Sequence, residues 1–344
     1  MSLSAPFPYF GGKSKAAPLV WSRFGDVKNY VEPFCGSAAM LLSAPNGKRV
    51  ETINDADGFV ANFWRAVRHA PEDVARHADY PVVEADLEAR HAWLVNRSER
   101  LRWQLEDPDF FDAKIAGWWV WGACAWIGSG WCAGTGPHMT TGANIYDRRQ
   151  LPHVGNAGQG INRQLPHVGD AGQGIKRQLP HVGNAGQGIN RQLPHVGNAG
   201  RGAFILDWMQ ALGERLRDVR VANGDWKRVL STSVTTRHGV TAVFLDPPYA
   251  KGAMDYAAGG VGSGLSQDVL AWCLENGDDP KLRIALCGHL GEHDAPGWTA
   301  ESWKASGGYA RSSETVDNRK SETIWFSPHC VREDVTQQQL ECAE

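Results

Sequence analysis

Tyr30-Val31-Glu32-Pro33-Phe34-Cys35-Gly36-Ser37-Ala38-Ala39-Met40-Leu41-Leu42, followed by Arg49-Val50-Glu51-Thr52-Ile53-Asn54-Asp55-Ala56-Asp57, reads as strand, turn, helix, strand and acid. The first run is strand-like up to Pro33, and Ala38 to Leu42 has a helical composition after the glycine turn. A strongly apolar strand, Thr241-Ala242-Val243-Phe244-Leu245, stops abruptly at Asp246-Pro247-Pro248-Tyr249. Further β-like runs cover Leu282 to Cys287 and Glu322-Thr323-Ile324-Trp325-Phe326-Ser327, and Val219-Arg220-Val221 leads into Asn223-Gly224-Asp225-Trp226. Helical patterns occupy much of 57–102 and the stretch from Phe204 to Leu216. Strands with near-continuous apolar runs, alternating with helices, predict an α/β fold with a mainly parallel twisted sheet covered on both faces. Ligands of such sheets sit at the carboxyl ends of the strands, where Glu32, Asp55 and Asp246 all fall.

The chemistry follows from those three strand ends. Gly36 lets the backbone approach a ligand closely where the chain turns into a helix with free N–H groups, although a glycine turn by itself is only a connection. Asp55, roughly 20 residues further on, stands where doubly wound folds hydrogen-bond a ribose hydroxyl. Together they imply a nucleoside-bearing cofactor. Phe10-Gly11-Gly12-Lys13, after Tyr9, is not a phosphate-binding Walker loop, because no Ser or Thr follows the lysine; two glycines beside Lys and Tyr suit the polar end of a cofactor instead. Asp246-Pro247-Pro248-Tyr249 is the sharpest signal. Consecutive prolines fix φ and remove two N–H donors, leaving a rigid rim rich in acceptors. A carboxylate and a proline carbonyl accept both hydrogens of an exocyclic amine and aim its lone pair at an electrophile, while Tyr249 offers a flat face to the ring that bears it.

Tyr9-Phe10-Gly11-Gly12-Lys13, Glu32-Pro33-Phe34-Cys35-Gly36-Ser37 and Asp246-Pro247-Pro248-Tyr249, in that order, resemble the Dam-type adenine-N6 DNA methyltransferases of the α group. Glu322 to Ser327 is similar to that family's last strand. The resemblance covers about 7–57 and 221–327. It implies a Rossmann-like fold, S-adenosylmethionine as cofactor, double-stranded DNA as partner, and direct methyl transfer to the amine of a flipped adenine without a metal. It further implies cofactor contacts from Tyr9, Gly11, Gly12, Lys13, Glu32, Phe34, Gly36 and Asp55, with Asp225 and Trp226 reaching the cofactor's adenine. Asp246 would stand between cofactor and amine, Pro247 and Pro248 would form the rim, and Tyr249 would stack on the base. Acceptors other than DNA adenine (RNA or a protein amide), or a catalytically weak DNA- or cofactor-binding protein, are the competing readings.

The expected organisation is a catalytic part at 1–70, an inserted target-recognition region at 71–216, a second catalytic part at 217–330 and a polar tail at 331–344. The insert carries a 14-residue repeat restarting at Arg149, Arg163, Arg177 and Arg191. Three glycines and a proline in each copy break helix, which favours a loop over a packed layer. Arg148, Arg149, Arg163, Lys176, Arg177, Arg191 and Arg201 face one acid, Asp170, across this stretch, so it reads either as a cationic arm along a phosphate backbone or as a neutral expansion of a surface loop. Trp118, Trp119, Trp121, Trp126 and Trp131 read as core rather than a base-stacking platform.

Composition bounds the remaining possibilities. The 344 residues are 42% hydrophobic and 21% charged, with a net charge of −3, which argues against coating nucleic acid by bulk charge. No apolar run approaches the roughly 18–20 residues of a membrane span. The N-terminus lacks a basic segment followed by an apolar stretch, so the cytoplasm is the expected compartment. Seven scattered cysteines without a Cys-x-x-Cys pair disfavour zinc and disulfide frameworks, and Cys35 is expected to be a bystander thiol.

Overall fold

Placing polar strand ends beside a buried sheet requires strands that are apolar through their length. Thr241 to Leu245 is apolar after its first residue, whereas Asn29 to Glu32 carries only Tyr30 and Val31 between two polar ends; both strands are buried at every position. A computed structural model describes residues 3–9, 13–126, 131–132, 202–249, 262–302 and 322–332. Among these residues seven strands form one sheet: β1 (Asn29–Glu32), β2 (Val50–Asp55), β3 (Val219–Asn223), β4 (Thr241–Leu245), β5 (Leu282–His289), β6 (Thr299–Ser302) and β7 (Glu322–Phe326). Their spatial order is β3-β2-β1-β4-β5-β7-β6. β3, β2, β1, β4 and β5 run parallel, whereas β7 lies antiparallel between β5 and β6. From β1 the chain builds outward to β2 and β3, then returns to the opposite side with β4 and β5. The switch point therefore lies between β1 and β4, where Glu32 and Asp246 end their strands.

The chain divides into two units, one formed by 1–5, 9–61 and 215–344 and the other by 6–8 and 62–214. In the sheet unit, successive residues of β1 face opposite sides. Tyr30 packs with Trp21 and Phe24 of α1 (Ala17–Phe24), at ring-centroid distances of 4.9 and 6.4 Å. Val31 joins Val243, Leu245, Ile284, Leu286, Trp226 and Trp325 in a core that also takes Val269 and Cys273 from α9 (Gly262–Asn276). Helices thus cover both faces. A short α2 (Ala39–Leu42) follows the Gly36 turn.

The described residues of the second unit are largely helical. The unit takes most of α3 (Gly58–His69) and α8 (Gly202–Arg215), with α4 (Pro71–Ala78), α5 (Glu84–Val95), α6 (Ser98–Gln104) and α7 (Ala113–Ala125) complete. Phe7, Phe63, Trp64 and Trp119 form an edge-to-face aromatic core. Asp112 starts α7 by accepting from the Ile115 N–H at 2.8 Å, and Asn62 exchanges two hydrogen bonds with the Asp112 backbone. Trp119 and Trp121 are buried, as expected for core, and Arg90 lies over the rings of Tyr80, Trp118 and Trp121. Gly11, Gly12 and the repeats up to Arg201 lie outside the described residues. α1, α9 and β6 were not anticipated: α1 and α9 have no sharp local signal, and β6 is a four-residue polar edge strand whose Glu301 pairs with Arg23.

Candidate active site at the strand ends

The turn after β1 is shaped by backbone geometry. Gly36 adopts φ +43°, and a Cβ there would run into the ring of Tyr9. Ala38 pays for a second left-handed conformation, at φ +50°. Asn54 braces this turn against β3: its side-chain amide donates to the Pro33 carbonyl at 2.9 Å and the Gly224 carbonyl at 3.0 Å. The Cys35 N–H donates to the Asn54 carbonyl at 2.9 Å. Asp55 then accepts from the Gly36 N–H through one carboxylate oxygen and from the Asp57 N–H through the other, each at 2.9 Å. Because both φ and space demand glycine, Gly36→Ala is expected to cost about 1–3 kcal/mol in denaturant unfolding. An unchanged midpoint would show that Tyr9 moves aside freely.

The acids at these strand ends are under strain. Burial pushes the Glu32 carboxyl up to about 8 against the Tyr30 hydroxyl that donates to it at 2.8 Å, and the charges of Asp246 and Asp55 add to the rise. Burial, then the neighbouring Asp57, pushes Asp55 up to about 7. The sign is clear. Carboxyls that ionise later in the folded than in the unfolded chain cost stability as pH rises from the ordinary carboxylate range to those raised values. The cofactor-free protein should therefore lose stability from about pH 5 to about pH 8, at up to about 1.4 kcal/mol per pH unit for each group, and Glu32→Gln should flatten the curve. Denaturant unfolding at several pH values measures this; a slope equal in wild type and variant would contradict it. Burial also pushes the Cys35 thiol well up, which keeps it protonated and unsuited to nucleophilic attack.

Asp246 anchors the third corner. Its Oδ1 accepts from the Tyr249 hydroxyl at 3.0 Å and pairs with Lys13 Nζ at 3.0 Å. Lys13 is only 3% exposed, and its ammonium also meets Glu322 Oε2 at 3.5 Å. Burial works against the Lys13 charge, but Asp246 and the other anionic groups outweigh it, so the group is held above the ordinary lysine range. The Lys13 ammonium lies 5.2 Å from the Tyr249 ring centroid, and His289 meets that ring edge-on at 4.7 Å. Pro247 is buried and Pro248 half-buried.

The structure brings Lys13, Asp246 and Tyr249 into contact, sets Tyr9 against Gly36, and ties Gly36 to Asp55. Phe34, half-buried, lies 6.0 Å from the Trp226 ring, which is itself buried and edge-on to Trp272. Asp225 is exposed and accepts from the Lys227 N–H at 2.8 Å, capping a short 3-10 turn over Trp226–Val229. Four site neighbours were given no site role from the sequence: Tyr30, Asn54 and Glu322, which lie in the strands read there, and His289. Glu322 opens the last strand, and His289 sits opposite it in the β5–β7 register. Neither has a local signal, because antiparallel pairing of distant segments puts them together. Among the described residues no group of three or more His, Cys, Asp or Glu is placed to hold a metal ion, and no helix is long and apolar enough to cross a membrane.

Residues 9–104 match a family model described as D12 class N6 adenine-specific DNA methyltransferase. No curated protein matches the chain.

Proposed function

We propose that this chain, whose residues 9–104 match the D12 class N6 adenine-specific DNA methyltransferase model, transfers a methyl group from S-adenosylmethionine to the exocyclic amine of an adenine flipped out of duplex DNA, at a specific sequence. The observation that carries the reading is Asp246. Its carboxylate ends the central strand β4 at the switch point, with one oxygen held by Lys13 and Tyr249 and the two prolines following it. That leaves its other oxygen and the proline carbonyls as acceptors for the two amine hydrogens.

The strand ends fit such a cofactor chemically. Glu32 and Asp55 offer buried acceptor oxygens suited to the ammonium and ribose hydroxyls of a nucleoside amino acid, and the Gly36 turn, free of a Cβ, gives the close backbone approach. Tyr9, Lys13, Phe34, Asp225 and Trp226 complete the proposed set, with Gly11 and Gly12 from the same N-terminal motif. When bound, S-adenosylmethionine would supply an electrophilic methyl group from its sulfonium, which would leave as a neutral thioether, and the methylated nitrogen would give up one proton to solvent. Asp246 holds the amine so that its lone pair points away from the ring, and it faces the nitrogen as that atom becomes cationic. Tyr249, its hydroxyl tethered to Asp246, presents a ring of fixed orientation to the base. Extrusion of the base costs a few kcal/mol, which DNA contacts outside the sheet must supply.

The test is incubation of purified protein with S-adenosylmethionine and unmethylated plasmid DNA, digestion to nucleosides and quantification of N6-methyladenine by mass spectrometry, with RNA and protein acceptors alongside. N6-methyladenine in the DNA supports the reading. Cofactor binding without methylated adenine in DNA of varied sequence would overturn it in favour of another acceptor or a binding role.

A further inference from the structure

Resting on the methyltransferase reading above, the inference concerns Glu322, at the start of β7 and far in sequence from every motif of the site. Its Oε2 is buried and makes no hydrogen bond among the described residues beyond the 3.5 Å charge contact with Lys13. Lys13 thus stands between two carboxylates, Asp246 and Glu322, whose side chains are 17% and 12% exposed. A lone lysine–aspartate pair would be neutral. With a second carboxylate on the same ammonium, these three groups carry one negative charge in excess when both acids are ionised, and Asp246 shares its counter-charge.

We propose that Glu322 is a positioning residue for methyl transfer: it shares the Lys13 ammonium with Asp246 and so preserves net negative charge where the adenine nitrogen becomes cationic. The excess charge favours the transition state over the neutral amine, because the nitrogen gains its positive charge only as the new bond forms. The titratable groups facing this cluster come from every neighbouring strand: Glu32 on β1, Asp246 and Tyr249 after β4, Cys287 and His289 on β5. Burial holds the Tyr249 hydroxyl and the Cys287 thiol well above their ordinary ranges, so both stay neutral. Glu322 is raised by burial, against the pull of Lys13. As pH falls through its carboxyl, the excess charge is lost and the transfer rate falls with it.

The experiment compares wild type, Glu322→Gln and Glu322→Asp in single-turnover transfer to duplex DNA across the neutral range, with cofactor affinity measured by calorimetry. The Gln variant should transfer on the order of tenfold more slowly at alkaline pH, with cofactor affinity unchanged. Its rate should also lose the Glu322 part of the acid limb, while the contributions of Glu32 and Asp55 remain. The Asp variant should recover part of the rate. Independently of turnover, infrared titration of the cofactor-free protein should show a carboxyl ionising above the ordinary glutamate range in wild type that is missing from the Gln variant. A Gln variant with wild-type rate and pH profile, beside a wild type that methylates DNA, overturns the inference and leaves the function standing. A wild type that binds cofactor but methylates no DNA overturns both. Should the Gln variant fail to fold, Glu322→Asp decides: a displaced acid limb supports the inference and an unchanged one overturns it.

Discussion

Asp246→Ala should lower methyl transfer to DNA by roughly a thousandfold or more while the protein stays folded, since a preorganised group aimed at developing charge is among the largest catalytic contributions a side chain makes. In the proposed mechanism the carboxylate has two tasks, and alanine removes both. It no longer accepts from the amine, and it no longer balances the charge that forms on nitrogen. The fold should survive because the buried Lys13 ammonium retains Glu322 at 3.5 Å, and the Tyr249 hydroxyl lies at a half-buried position. Asp246→Asn separates the two tasks: it keeps a carbonyl acceptor of the same shape and gives up the charge, so its rate should fall between wild type and alanine. Mass-spectrometric counting of N6-methyladenine reads the loss, and circular dichroism checks the fold. Turnover near wild type in the alanine variant would remove Asp246 from the mechanism.

Lys13→Met should be the most destabilising substitution in the site, at about 3 kcal/mol in mildly alkaline solution, because it strands two close carboxylates around an apolar side chain. The pH dependence identifies the cause. Without the ammonium the two carboxylates stand uncompensated, so the deficit should be larger in alkaline than in acidic solution. Denaturant unfolding at an alkaline and an acidic pH tests this. A deficit of the same size at both would assign the loss to packing of the lysine stem rather than to charge. Methyl transfer should fall as well, since Asp246 would lose the partner that fixes its Oδ1.

Much of the sheet could be read from local patterns. Val243, Phe244 and Leu245 are apolar without alternation because β4 is buried on both faces between β1 and β5, and such runs identify central parallel strands. The strand-turn-helix-strand reading of 30–57 corresponds to β1, α2 and β2 within a residue or two at each end, and Glu32 and Asp55 do end neighbouring strands. The α2 helix is only four residues long, since Ala38 in a left-handed conformation delays its start and Ser43 ends it. Other features had no local mark. β6 is exposed at three of its four positions and half-buried at the other, and has too little apolar content to show as a strand. The division near residues 61 and 215 falls inside α3 and at the last residue of α8, within helices rather than in a linker.

The site divides along the same line. Asp246, Tyr249, Lys13, Glu32, Gly36 and Asp55 could be singled out from sequence because their chemistry depends on close neighbours in the chain: a carboxylate before two prolines, a glycine where a strand turns, an acid at a strand's end. The parallel sheet was legible in the sequence alone, as was the placement of the Asp246-Pro247-Pro248 turn directly after one of its strands. Only the tertiary structure decided that Lys13 is buried against Asp246 and Glu322, that His289 lies on Tyr249, and that Asn54 latches two turns together. Those contacts join segments separated by tens to hundreds of residues. They exist because parallel strands with distant connections, and one antiparallel strand inserted between β5 and β6, bring remote side chains to the same end of the sheet, an arrangement on which local pattern carries no information.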